Sequence, residues 1–170
     1  MKKRKRFFSS DCYYDTLDTP IGTLFLVFHK NSLIKVAFVK PDMDIGKYKA
    51  PLSFIKELQE YFEKGRDEFT QKIEFVSGTE FDRMVWLALK DVPYGETRTY
   101  KWLAEKIGKP NASRAVGQSL SRNPLPIILP CHRIIESDGS IGGYSAGVNI
   151  KRRLLEMEYY IMLERQGKDE

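Results

Sequence analysis

Runs of branched and aromatic residues within residues 12–40 predict β-strands. The segments GTLFLVF and LIKVAFV are separated by HKNS, a turn-like sequence, and predict a hairpin in a small sheet. The segment SFIKELQEYFEKG carries apolar residues at helical spacing and predicts a helix capped by Ser53 and ended by Gly65. QKIEFV is a candidate for one more strand. Together, the hairpin, the helix and this strand predict a small α/β unit over residues 1–77.

The second half of the chain has the periodicity of helices. In SGTEFDRMVWLALKDVPYG, Thr79 and Asp82 form a predicted capping box, and Pro93 and Gly95 end the helix. TYKWLAEKIG and ASRAVGQSLSR are two short amphipathic segments, and Asn111 is the expected cap of the second. The predicted inward face of the second segment consists of Ala112, Ala115, Val116, Ser119 and Leu120. Two such helices joined by a tight turn predict a helix-turn-helix.

One face of the second amphipathic helix has no acidic and no large apolar residue. It consists of Arg114, Gly117, Gln118, Ser121 and Arg122. A glycine inside a helix costs about 1 kcal/mol, and it is useful where another backbone must approach closely. The face therefore predicts contact with DNA, and an ordinary polar surface is the alternative.

Positive charge is concentrated in the same part of the chain. The formal net charge of the 170 residues is +5. Residues 98–153 contain ten Lys or Arg and three acidic residues, a local charge of +7. This distribution fits a polyanion, with nucleic acid as the first candidate, although a solvated basic face explains it equally well. The KKRKR sequence near the start predicts a disordered basic tail over residues 1–7.

The motif LPCHRII places a cysteine between a proline and a histidine. Pro124, Pro126 and Pro130 exclude a regular helix before it and favour an extended segment. Pro130 also suits the first position of a helical turn, in which free backbone N–H groups would favour the Cys131 thiolate. His132 could then accept the proton. The alternative is that a buried cysteine is a small, inert hydrophobic residue.

The C-terminal segment NIKRRLLEMEYYIML places Glu158 within the apolar face of a predicted helix, which Lys151 borders. The apolar residues of that face are Ile150, Leu154, Leu155, Ile161 and Met162. A carboxylate buried there needs a partner, and His132 is the natural candidate. Cys131, His132 and Glu158 would then form a relay of nucleophile, base and orienting group.

Composition argues against several other classes of protein. No apolar run approaches the ~18 residues of a membrane span, and no signal-peptide pattern follows the basic start, so we expect a soluble protein of the cytoplasm, or of the nucleus in a eukaryote. Cys12 and Cys131 are expected to be free thiols. Two cysteines and two histidines are too few for a typical structural zinc site, so we expect no metal and no other cofactor.

Residues 92–158 resemble the O6-alkylguanine-DNA alkyltransferases, also called methylated-DNA–protein-cysteine methyltransferases. The resemblance lies in VPYGETRTY, RAVGQSLSRNPLPIILPCHRII and GGYSAGVNIKRRLLEME, and the PCHR motif in this context is very specific. In the first half it is looser and rests on TPIGTLFL. The resemblance implies a ribonuclease-H-like α/β domain over residues 1–77 and a mostly helical domain with the helix-turn-helix over residues 78–170.

The resemblance also implies a reaction without turnover. The Cys131 thiolate would take the alkyl group from O6 of guanine, and O4-alkylthymine is a further candidate substrate. His132 would act as the base through a water molecule, and Glu158 would orient it. Tyr100 matches the tyrosine that helps protonate the leaving base, and Tyr144 and Ser145 match the loop that covers the pocket. In "YSAG", Ala146 replaces a glycine that many members have, and its methyl group is expected to narrow the pocket.

The implied partner is double-stranded DNA that carries the lesion. The recognition helix would enter the minor groove of the DNA, and the damaged nucleotide would be rotated out of the helix. Arg114 matches the arginine that fills the resulting gap, and Asn123 matches the asparagine of the turn before the active-site segment. The protein is expected to be a monomer.

Four other functions are compatible with parts of the pattern. A related protein could bind the lesion without repairing it, but such relatives lack the cysteine that is present here as Cys131. A transcription factor would need a further domain. A cysteine hydrolase would turn over. A redox thiol would need a resolving partner, and Cys12, the other cysteine, is remote from Cys131 in the sequence.

Overall fold

The computed structural model describes residues 11–168, so the predicted basic tail lies outside the described residues. The first part forms a four-stranded sheet of β1 (Cys12–Thr19), β2 (Gly22–His29), β3 (Ser32–Ala37) and β4 (Gly46–Lys47). The strand order is β3-β2-β1-β4, with β4 parallel to β1 and the other pairs antiparallel. The predicted hairpin is confirmed as β2 and β3.

Helix α1 (Leu52–Lys64) covers one face of this sheet through its apolar side. Phe54 packs edge-on against Phe28 of β2, with ring centroids 5.9 Å apart. Gly65 ends the helix as predicted, with φ 73°. Ser53 is not its cap: the helix begins at Leu52, two residues earlier than a Ser53 cap would require, and Pro51 occupies the cap position without a side-chain hydrogen bond.

The predicted strand in QKIEFV is wrong. Between α1 and the next helix, β-type pairing is limited to one bridge between Ile73 and Leu33. Just before this bridge the chain is held to α1, because Glu57 accepts hydrogen bonds from the backbone N–H (2.6 Å) and the hydroxyl (2.7 Å) of Thr70. The chain therefore meets the edge of the sheet at a single residue.

The second part is mostly helical. Its elements are α2 (Glu80–Ala88) with a 3-10 turn (Leu89–Asp91), β5 (Arg98–Thr99), α3 (Tyr100–Lys106), α4 (Ser113–Ser121), β6 (Ile134–Ile135) and α5 (Val148–Lys168). Strands β5 and β6 pair in parallel. Within residues 11–168, none of the helices has both the length and the apolarity to span a membrane.

The capping box predicted for α2 is confirmed. Thr79 N–H donates to the Asp82 carboxylate (3.0 Å), and Asp82 N–H donates to the Thr79 hydroxyl (3.1 Å). Asn111 is not the cap of α4. Ala112 occupies that position without a side-chain cap, because the preceding turn is closed by a backbone bond from Ala112 N–H to Lys109 O (2.9 Å).

Asp82 also fastens α2 to α4. Its carboxylate accepts hydrogen bonds from the buried Ser119 hydroxyl (2.6 Å) and from Arg122 (2.7 Å). Burial would raise the pKa of Asp82, but the bonds from Arg122 and Ser119 outweigh it and hold the pKa well below its usual range. Trp86 adds a bond from its indole N–H to Ser119 O (2.7 Å). The orientation of α4 is therefore fixed by α2.

One cluster of buried apolar side chains runs through both parts. It includes Phe28 and Phe54 from the first part and Trp86, Leu103 and Leu154 from the second. The two parts thus share a core, and the domain boundary at residue 77 stays a prediction.

Candidate active site

The segment before the cysteine is buried but not extended, contrary to expectation. Prolines exclude a regular helix there, as predicted, yet residues 124–129 form successive bends and turns. Asn123 sets this path, because its side chain accepts a bond from Leu125 N–H (3.0 Å) and donates one to Leu129 O (2.9 Å). Ile127 adopts a φ of 75°, which a β-branched residue rarely does.

Cys131, His132 and Arg133 form a short 3-10 turn that starts directly after Pro130. The predicted helical turn is therefore present, although it begins one residue later than expected. The turn is closed by a hydrogen bond from Arg133 N–H to Pro130 O (3.1 Å), and Cys131 N–H donates to Leu129 O (2.8 Å). Cys131 is 6% exposed and His132 is fully buried.

The environment of Cys131 does not favour its thiolate, contrary to expectation. Burial raises the pKa of the thiol, and the opposing influences of Asn123, Lys151 and Tyr144 are smaller. A buried thiol has lost the hydration that stabilises its anion. At neutral pH the group is therefore a thiol, and a base must remove its proton before it can act as a nucleophile.

His132 is paired with Glu158, as predicted from the apolar face of the last helix. His132 Nε2 lies 2.8 Å from Glu158 Oε1, and both side chains are buried. A carboxylate can only accept, so Nε2 carries a proton and Nδ1 is the nitrogen that can act as a base. His132 Nδ1 is buried without a hydrogen-bond partner among residues 11–168.

Two further residues hold Glu158, and the sequence analysis assigned neither a role. Arg133 donates to both carboxylate oxygens, at 2.7 to 3.1 Å, and the Tyr61 hydroxyl donates to Oε1 (3.1 Å). Burial would raise the pKa of Glu158, but His132 and Arg133 lower it to about 2. Glu158 is therefore ionised at neutral pH, and it fixes the imidazole in one orientation.

Arg133 also connects the site to the first part of the chain. Its guanidinium donates to Asp67 (3.0 Å) and to Val92 O (2.8 Å), and it lies over the ring of Tyr94. The arginine was visible in the PCHR motif. Its partners were not, because the carboxylate of Asp67 precedes it by 66 residues.

A cavity of about 310 Å³ opens beside Cys131 and gathers most of the predicted pocket residues. Its lining consists of Tyr100, Gly117, Leu120, Ser121, Cys131, Gly143, Tyr144 and Ser145. The Tyr144 hydroxyl has no nitrogen or oxygen partner among the described residues, and it faces the Cys131 thiol. Burial raises the pKa values of Tyr100 and Tyr144, so both are neutral and able to donate a hydrogen bond at pH 7.

Four of the five predicted DNA-facing residues divide into two groups, and the fifth, Arg122, donates to Asp82 as described above. Arg114 and Gln118 are exposed on α4 and do not line the cavity, whereas Gly117 and Ser121 do. A Cβ atom added at Gly117 would lie 3.7 Å from the Tyr100 ring, an ordinary contact. The interior of the protein therefore does not require this glycine. Ala115, expected on the apolar face, is exposed.

Other predicted features of the site have mixed outcomes. Cys12 and Cys131 do not form a disulfide, in agreement with the prediction of reduced thiols. Ala146 lines a neighbouring groove of about 1110 Å³ and is not among the residues that line the cavity, and the expected narrowing by its methyl group stays a prediction. Within residues 11–168, no group of three or more His, Cys, Asp or Glu side chains is arranged to bind a metal ion.

The chain is similar to a well-defined group of proteins. A family model described as 6-O-methylguanine DNA methyltransferase, DNA binding domain, matches residues 80–160. The methylated-DNA–protein-cysteine methyltransferase of Methanosarcina barkeri is 42% identical over 153 residues, which are 86% of this chain and 96% of that protein.

Two solved structures from Mycobacterium tuberculosis have the same fold over most of the chain. The O6-methylguanine methyltransferase matches with a TM-score of 0.80 and 38% identity, over 88% of this chain and 93% of that one. OGT in complex with DNA matches with a TM-score of 0.81 and 39% identity, over 88% of this chain and 94% of that one. The mixed α/β architecture described above is thus shared with both.

Proposed function

The chain belongs to the family of methylated-DNA–protein-cysteine methyltransferases, and on this premise we propose that it repairs O6-alkylguanine in DNA by direct reversal, transferring the alkyl group irreversibly to Cys131. The observation that carries the proposal is the placement of this cysteine. Its thiol lines a cavity next to a buried histidine whose base nitrogen, Nδ1, has no protein partner among the described residues. A nucleophile, a base and an orienting carboxylate are the parts that such a transfer needs.

The transfer starts with the proton of the thiol. Because burial raises the pKa of Cys131, His132 Nδ1 must take this proton, and a bridging water molecule is the proposed path. Glu158 then stabilises the imidazolium through Nε2. The sulfur attacks the alkyl carbon, the bond from that carbon to O6 breaks, and its electron pair goes to the guanine.

The guanine gains one proton as it leaves, and Tyr100 is the proposed donor. The Tyr144 hydroxyl and Ser145 would hold the base in the cavity, with Ser145 hydrogen-bonded to O6. The thioether on Cys131 has no route back to a thiol, so each molecule acts once. O4-alkylthymine is a further candidate, because its alkyl group is also carried by an exocyclic oxygen.

Helices α3 and α4 are the proposed helix-turn-helix, with α4 in the minor groove of double-stranded DNA. Arg114 and Gln118 would contact DNA from the exposed face of α4, while Gly117 and Ser121 on the same helix line the cavity. Flipping a nucleotide costs a few kcal/mol, and Arg114 would offset part of it by filling the gap in the base stack. Asn123 would act indirectly, by shaping the turn that leads to Cys131.

We further propose that the protein acts as a monomer in the cytoplasm, or in the nucleus of a eukaryote. Residues 1–77 are the proposed ribonuclease-H-like domain, and residues 78–170 are the proposed transferase domain. The strand order with one parallel strand next to two antiparallel pairs supports the first assignment.

The test is a single-turnover reaction with a duplex that contains one O6-methylguanine. We expect the intact mass to rise by one methyl group, the peptide map to place it on Cys131, and the reaction to stop at one methyl group per molecule. Cys131→Ala should bind the duplex and accept no methyl group, and Cys12→Ala should react like the wild type. Binding without a mass change in the wild type would instead identify a lesion-binding protein.

A further inference from the structure

Lys151 is a buried cation to which the mechanism above gives no role. It lies in the first turn of α5 and is 1% exposed. Its ammonium group donates hydrogen bonds to Ile134 O (2.6 Å) and to Gly143 O (3.1 Å). Ile134 follows the Cys-His-Arg turn directly, and Gly143 precedes Tyr144. One side chain therefore ties the active-site turn to the loop that lines the cavity.

Lys151 and Glu158 carry opposite charges and lie on the same face of α5. They are seven residues apart, or about two turns, and both are buried. Glu158 holds His132 and Arg133, and Lys151 holds the carbonyl of the next residue, Ile134. The helix thus contacts three consecutive residues of the active-site segment through two charged side chains.

The hydrogen bonds of Lys151 do not neutralise its charge. Both acceptors are backbone carbonyls, and a buried ammonium without a carboxylate partner is costly. Burial lowers the pKa of Lys151, while the nearby Cys131 and Glu136 raise it. Such a cation gains most from an anion that forms beside it, and the thiol of Cys131 is the group that becomes an anion during the reaction.

Building on the proposed function, we propose that Lys151 is a positioning residue for alkyl transfer: its two hydrogen bonds hold the loop with Tyr144 and Ser145 against β6, and the positive charge that they anchor next to the active-site turn stabilises the Cys131 thiolate. Lys151 neither gives nor takes a proton in the reaction. It stabilises the anion that exists between removal of the thiol proton and formation of the sulfur–carbon bond.

Charged and titratable groups near Cys131 come from every element around it. They are Tyr100 from α3, His132 with Glu158 behind it, Tyr144 from the loop, Lys151 from α5, and Glu136 near Tyr100 and Lys151. The two tyrosines are neutral at pH 7. Removing the charge of Lys151 therefore leaves the thiolate with His132 as its nearby source of positive charge.

The test is the pH dependence of Cys131 alkylation by iodoacetamide in the absence of DNA, followed by peptide mass. We expect the midpoint to rise by about one pH unit in Lys151→Met, which means about tenfold slower reaction below the midpoint. Lys151→Gln is neutral but can still donate to a carbonyl, and we expect the same rise. Arg152→Met removes an exposed charge from the adjacent residue and should leave the midpoint unchanged. Cys12 provides the reference thiol in every sample.

Hydrogen exchange tests whether Lys151 holds the loop. Amides of residues 143–147 should exchange faster in Lys151→Met than in Arg152→Met, because the tether to Gly143 is lost. The proposal is overturned if Lys151→Met and Lys151→Gln, the two neutral variants, have the same midpoint of Cys131 alkylation as Arg152→Met. The same holds if Lys151→Gln matches the wild type, since the charge would then have no influence. If Lys151→Met does not fold, Lys151→Gln decides the outcome.

Methyl transfer by the wild type is measured in parallel. If the wild type transfers the methyl group and the neutral variants show no shift, the inference about Lys151 fails alone. If the shift is present and the wild type accepts no methyl group, the charge assignment holds and the proposed function fails.

Discussion

Glu158 is a carboxylate buried almost completely in the interior of the protein. Its Oε1 atom accepts from His132, from Arg133 and from Tyr61, all buried around it. These donors stabilise the ionised form so strongly that the pKa falls to about 2 in spite of burial. The same interactions that orient His132 therefore make the site sensitive to acid.

We predict that Glu158→Gln slows methyl transfer and makes the free energy of unfolding less dependent on pH. The amide cannot stabilise the imidazolium, so methyl transfer should slow by about tenfold or more in single-turnover assays. Because the pKa of Glu158 is lowered in the folded protein, its contribution, on the order of 3 kcal/mol, is present at neutral pH and is lost as the pH falls through the range from about 4 to about 2.

Urea unfolding at several pH values measures this loss. The difference in free energy of unfolding between wild type and Glu158→Gln should shrink as the solution is acidified. Glu156→Gln, an exposed neighbour on α5, is the matched control and should follow the wild type. A difference that stays constant down to about pH 3 would contradict the assignment.

Helix α4 carries both proposed DNA-contacting residues and residues that line the cavity, and α2 holds this helix in place. Asp82 caps α2 through its own backbone and Thr79, and it reaches α4 through Ser119 and Arg122. Ser119 was expected on the apolar face of α4 because of its spacing, and the bond to Asp82 explains why a hydroxyl is tolerated there.

We predict that Ser119→Ala destabilises the protein by about 2 kcal/mol, because a buried hydrogen bond to a charged acceptor is lost. The measurement is the urea midpoint of unfolding. Ser113→Ala, in the first turn of the same helix and only partly buried, should change stability by less than about 0.5 kcal/mol. Equal losses in the two variants would show that the contact between Ser119 and Asp82 contributes nothing.

The elements differ in how far the sequence could predict them. The capping box of α2 and the burial of Glu158 follow from local spacing, and both are confirmed. The path of residues 124–129 could not be predicted, because prolines restrict backbone angles but the side chain of Asn123 decides where the chain turns. The contacts of Arg133 with Asp67 and of Lys151 with Gly143 depend on tertiary packing, which spacing does not encode.

At the scale of the whole molecule, the proposed DNA surface and the reaction cavity meet on one helix. Arg114 is exposed on α4, and Gly117 on the next turn lines the cavity beside Cys131. A nucleotide that leaves the DNA stack at Arg114 would therefore have a short path to the thiol.

We predict that Arg114→Ala slows methyl transfer from duplex DNA by about tenfold or more, because the cost of flipping is no longer offset. Affinity for undamaged DNA should change only a few-fold, as expected for the loss of one phosphate or groove contact. Transfer from the free base O6-methylguanine, which needs no flipping, should keep the wild-type rate.

Lys101→Ala, which replaces an exposed basic residue of α3, is the matched control and should not slow transfer at saturating protein. A slower reaction with the free base would place Arg114 in the chemistry instead.

The family model matches residues 80–160. Two of the residues that form hydrogen bonds with Glu158 and Arg133 lie outside this region. Tyr61 donates to Glu158, and Asp67 accepts from Arg133, and both lie in the first half of the chain. The first half therefore supplies one hydrogen-bond partner to each of these two charged groups. A protein that lacked it would keep the contacts of Glu158 with His132 and Arg133 but would lose the Tyr61 hydroxyl and the Asp67 carboxylate, so the turn that carries the PCHR motif would be held less firmly.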